Sequence, residues 1–94
     1  MKSATASPTR FVESRHRLHG AAEWVELGAR IRNARLKAGL TQVEVSAHFG
    51  RDRSFVAKTE RGERQVTALE LRDLCRLFRI TSSDILDEPF GKEA

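Results

Sequence analysis

The stretch Thr41–Gly62, TQVEVSAHFGRDRSFVAKTERG, carries the densest set of structural signals in the chain. It predicts two short helices joined by a tight turn: a first helix over roughly 41–49, a turn over 50–52, and a second helix over roughly 53–61. Thr41 can cap the first helix through its side-chain oxygen, and Glu44 stands three residues later to complete a capping box. Val45 and Phe49 recur at i, i+4 and give that helix one apolar stripe. Ser46 is small enough to let a second helix approach. Gly50 accepts the positive φ that a sharp helix end requires, and Asp52 can cap the second helix. Phe55, Val56 and Thr59 then form the buried side of this second helix, while Arg53, Ser54 and Lys58 point outward. A short, polar, cationic helix held by a tight turn is suited to the major groove of DNA.

Two such helices bury little alone, so the flanks must supply the core. Before the motif, Trp24, Leu27, Ile31 and Ala34 fall at steps of three and four and predict a helix over about 22–38, ended by Gly39. After it, Thr67 and Glu70 form a second capping box and open a helix to about Arg79, with Leu71, Leu74, Cys75 and Phe78 on one stripe. Thr81 and Asp84 repeat the pattern for a short last helix through Asp87, which Pro89 stops. The expected fold is therefore all-α, a compact five-helix domain containing a helix-turn-helix. Three segments are expected: a flexible basic arm over 1–21, the helix-turn-helix domain over 22–88, and a C-terminal tail over 89–94.

Composition narrows the function. The chain has 94 residues, 17 Lys and Arg against 13 Asp and Glu, and a formal charge of +4. Residues 1–20 and 51–64 are net positive, which fits double-stranded DNA as a partner, while the segment after Ile80 is net negative and offers a different surface. No apolar run is long enough for a membrane span, and no signal-peptide core opens the chain, so a cytoplasmic location is expected. Cys75 is the single cysteine and reads as a small buried hydrophobe. There is no glycine-rich phosphate loop, no zinc cluster and no Ser-His-Asp arrangement. His16 and His19 lack partners at zinc spacing. No enzyme activity, cofactor or metal is expected.

Gly39-Leu40-Thr41, Gln42, Ser46, Gly50, Val56 and Glu60-Arg61-Gly62 resemble the phage-repressor, Cro and Xre family of helix-turn-helix proteins, over roughly 27–86. The resemblance implies a lambda-repressor-like fold and a partly buried ion pair between Arg35 and Glu60 that locks the first helix to the recognition helix. It also implies that Gln42, beside Thr41 at the start of the first motif helix, donates to a DNA phosphate. Arg53, Ser54 and Lys58 are the candidate base contacts. Arg51 and Arg64 are candidate phosphate contacts, and Phe55 is expected either to pack inward, wholly or in part, or to contact a thymine methyl, with packing favoured. Three positions depart from the family pattern. Arg51 and Thr59 stand where an apolar residue is usual, and Ala57 stands where a polar reader is common.

Near the C-terminus, Ile80, Ile85, Leu86 and Phe90 leave more apolar surface than one small domain readily covers, and form a candidate dimer interface; alternatively Ile85 and Leu86 cover the first helix, and both can hold. Together these readings imply a sequence-specific transcriptional regulator. It would act as a repressor that binds a palindromic operator as a homodimer, with recognition helices about 34 Å apart. The alternative is a protein-interaction module such as an antitoxin, with a protein partner on the acidic segment and DNA binding secondary.

Overall fold

Helix α1 (Pro8–Lys37) is the longest element. It is followed by α2 (Gln42–His48), α3 (Arg53–Glu60), α4 (Ala68–Phe78) and α5 (Ser82–Leu86). The computed structural model describes the backbone of residues 8–90 and the side chains of residues 20–90. Helix α1 starts well before Ala22, so the basic segment expected as a flexible arm is helical from Pro8 onward. Residues 1–7 lie outside those described. Nothing between Thr9 and His19 breaks a helix, and extending an existing helix backward costs far less than nucleating a new one.

Capping accounts for the starts of the four later helices. Thr41, Thr67 and Thr81 each accept from the backbone N–H three residues on, and the carboxylates of Glu44, Glu70 and Asp84 accept in turn from the cap residue's N–H. Asp52 caps α3 by accepting from the Ser54 N–H. At the end of α2, the Arg51 N–H donates to the Ser46 carbonyl and the Gly50 N–H to that of Ala47, both at 2.9 Å. That pairing needs left-handed backbone, which Gly50 adopts at φ 69°. The end of α4 shows the same pairing, but the left-handed residue there is Arg79, at φ 61°. A side chain at that position costs about 1 kcal/mol, which the two closing bonds offset.

The core gathers Leu27 and Ile31 of α1, Val45 of α2, Phe55 and Val56 of α3, Leu74, Cys75 and Phe78 of α4, and Ile85 of α5. Here one sequence expectation needs correction. Ile85 is only 2 % exposed and is part of this core, so it cannot belong to a dimer interface. Phe90 is half-buried, with the Arg30 guanidinium 3.7 Å from its ring centre. Arg30 donates to the carbonyls of Ile85 (2.6 Å), Glu88 (2.8 Å) and Pro89 (2.9 Å), and to the Glu26 carboxylate (2.8 Å). One arginine of α1 thus fastens the C-terminal segment over the core. Of the C-terminal apolar set Leu86 stays exposed, at 43 %; Val25, Leu36, Val43 and Leu69 are the other large apolar side chains exposed among the described residues. Among the described residues, no helix is long and apolar enough to cross a membrane.

Candidate nucleic-acid interface

The α2–turn–α3 unit presents two different sides. Inward, Phe55, Val56, Thr59 and Glu60 are buried. Outward, Arg53, Ser54 and Lys58 are exposed, with Arg51 beside them on the turn. Ala57 is buried as well, so its alanine does not subtract a reader from the exposed face: the helix turns that position toward the protein. Ser46 is fully buried between the two helices, and its hydroxyl accepts from the Val56 N–H at 3.3 Å. The small residue that lets the helices approach also bonds them.

Recognition-helix orientation rests on Glu60. Arg35 donates to it twice, from Nε at 2.6 Å and from Nη2 at 3.1 Å. Its remaining nitrogen, Nη1, donates to the Leu40 carbonyl at 2.8 Å. Gln42 Nε2 donates to Glu60 Oε1 at 3.0 Å. The Arg35 and Glu60 side chains are 8 % and 3 % exposed. One carboxylate therefore ties α1, α2 and α3 together with charge-assisted bonds. The Gln42 link was not visible in the sequence, because an 18-residue separation between elements leaves no periodic trace.

Arg64 is not placed as a phosphate contact would be. It grips both oxygens of Glu70 at 3.1 Å and donates to the Thr59 hydroxyl at 3.2 Å. Its guanidinium lies 4.7 Å from the Phe55 ring centre, and that of Arg51 lies 4.4 Å from it. Arg64 is thereby an internal strut between α3 and the start of α4. A six-residue spacing across a loop gave no helical pairing from which to infer this. Thr59, which replaces a usual apolar residue, is also satisfied, since its hydroxyl donates to the Phe55 carbonyl at 2.8 Å. Burial pushes the Glu70 carboxyl upward, but the bonds from Arg64 and the Thr67 N–H outweigh it and hold the group below the ordinary glutamate range. With the folded pKa depressed, this contribution to stability is complete above the ordinary glutamate pKa. It is lost as pH falls through the folded value. Arg64→Ala is expected to lower the unfolding free energy by about 1–2 kcal/mol, read as a reduced urea midpoint without DNA. Unchanged stability with a shallower salt dependence of DNA binding would instead return Arg64 to the phosphate role.

Two shallow grooves flank the exposed face. Arg32, Thr41, Gln42, Val43 and Arg53 line one, and Arg51, Ser54, Phe55, Lys58 and Arg64 are among the residues lining the other. The outer cation Arg61 was not singled out from sequence; it is exposed and pairs with Glu63 at 2.8 Å. Among the described residues, no group of three His, Cys, Asp or Glu side chains could hold a metal ion.

Residues 26–86 match the helix-turn-helix domain family. The chain belongs to the helix-turn-helix family. This is a class of DNA-binding transcription regulators and not of enzymes, and the α2–α3 unit is its defining motif. The helix-turn-helix protein is also similar to a solved structure, the restriction-modification controller protein C.AhdI from Aeromonas hydrophila. The TM-score is 0.67 and the identity 31 %, over 72 % of this chain and 99 % of that one. Comparison with curated proteins gave no match.

Proposed function

We propose that this regulator is a sequence-specific repressor that binds a palindromic double-stranded DNA operator as a homodimer. One observation carries the reading: Arg53, Ser54 and Lys58 are exposed on a helix whose opposite side is tied to α1 and α2 through Glu60. A reader fixed in angle can hold donors against base edges. Arg53 is the bidentate contact to guanine, and Lys58 meets a base or the adjoining phosphate. Arg51, the Thr41 hydroxyl and the Gln42 N–H not used on Glu60 take phosphates, which set register without specifying sequence. Leu86 and the half-buried Ile80 supply the dimer contact, in a shallow apolar groove shared with Leu71 and Cys75. Similarity to a restriction-modification controller supports a small regulator of this kind.

Selection of purified protein on a random duplex library near physiological salt tests the proposal. An inverted repeat with fixed half-site spacing is expected. Recovery of duplexes without sequence enrichment overturns it, and a protein co-purifying at fixed stoichiometry would point to the antitoxin-like alternative. On the enriched operator, Arg53→Ala should cost about 1–3 kcal/mol of discrimination at one base pair per half-site. An unchanged base profile removes Arg53 from the reading set.

A further inference from the structure

Asp52 does more than cap α3. Its Oδ1 accepts two bonds from one residue, the Ser54 N–H at 3.0 Å and the Ser54 hydroxyl at 2.6 Å. The hydroxyl bond first, then the backbone bond, with Lys58 and Arg51 adding attraction, hold the Asp52 carboxyl below the ordinary aspartate range. It is therefore a carboxylate at neutral pH and has no proton to give. A serine hydroxyl has one proton, and here that proton is directed at Asp52. Ser54 Oγ is left with lone pairs alone on the exposed face, and the second Asp52 oxygen adds negative charge beside it.

In the major groove, only the N6 amine of adenine and the N4 amine of cytosine donate; guanine and thymine show acceptors at N7, O6 and O4. We infer that the Asp52–Ser54 pair is a specificity determinant that accepts from the exocyclic amine of an adenine or cytosine at one position of each half-site and rejects guanine and thymine there. The inference rests on the assignment of α3 to the major groove made above. Arg53 lies between the two residues and carries donors only, so the first turn of α3 reads opposite chemistries at neighbouring positions.

The test is the same random-duplex selection, run on the full chain and on Ser54→Ala and Asp52→Ala, with base frequencies compared position by position. Alanine at position 52 removes the oxygen that both Ser54 bonds share, which frees the hydroxyl proton and takes away the neighbouring negative charge, at the general cost of the cap. Wild type is expected to prefer adenine or cytosine at one position next to the guanine contacted by Arg53. Ser54→Ala should reduce that preference about three- to tenfold, and Asp52→Ala should admit guanine or thymine there, with other positions unchanged. The readout is a ratio between bases, so a general loss of affinity or stability does not move it. If all three proteins enrich one operator with the same frequencies at every position, the inference falls and the operator reading stands. If wild type enriches nothing, both fall together.

Discussion

Glu60→Ala lowers the unfolding free energy by about 3–5 kcal/mol, the cost of leaving a buried charge without its partner. Arg35 loses two of its three bonds, and Gln42 loses the carboxylate it donates to, so three elements loosen together. Domains of this size hold about 5–15 kcal/mol in total, so the variant is partly unfolded near physiological temperature. Denaturant unfolding monitored on Trp24 gives the value. Replacing both partners at once, Arg35→Met with Glu60→Leu, should recover most of the loss, because neither charge is then buried alone. A single-variant loss below about 1 kcal/mol would mean that the pair is solvated and does not set the recognition-helix angle.

The second large effect is at Gly28. A methyl group there would collide with the Glu60 carbonyl oxygen and stand 2.5 Å from that of Thr59. Both neighbours are backbone, so neither can rotate away, and α1 must separate from α3. Overpacking of this kind costs about 1–3 kcal/mol, and a rigid backbone contact belongs at the upper end. In an exposed helix the same change would stabilise by about 1 kcal/mol, so the sign alone decides the matter. Gly28→Ala should lower the thermal midpoint and weaken operator binding, because the displaced partner is the end of the recognition helix. A raised midpoint would show that the two helices are not in close contact.

The fold was readable where local chemistry decides it. Three Thr-based capping boxes, Asp52 as a cap and the glycines at 39 and 50 mark helix boundaries to within about two residues, since each signal acts through neighbours in sequence. The all-helical architecture and the helix-turn-helix family followed from the same residues. What escaped was set by tertiary packing. Arg64 looked like a free cation until the loop after Gly62 brought Glu70 against it. Ile85 reads equally as surplus apolar surface or as cover for α1, because the sequence does not reveal that Arg30 draws the C-terminal segment onto α1. Ala57 looked like a missing reader because a helix of eight residues leaves its rotation undetermined by about one position. Gly28 carried no sequence signal, since a glycine in a helix reads as a weakness until its neighbour is known.

The fastening by Arg30 bears on how this protein comes apart. Helix α5 has five residues, too few to persist alone, and it adjoins a segment whose carbonyls end on one side chain. Such a segment opens as a single piece, and its amides exchange together at a free energy below that of global unfolding. Each opening uncovers Ile85 beside the already exposed Leu86. Loss of native monomer through sticking thus begins with a partial opening, and its rate follows the strength of one guanidinium's grip rather than the stability of the whole domain.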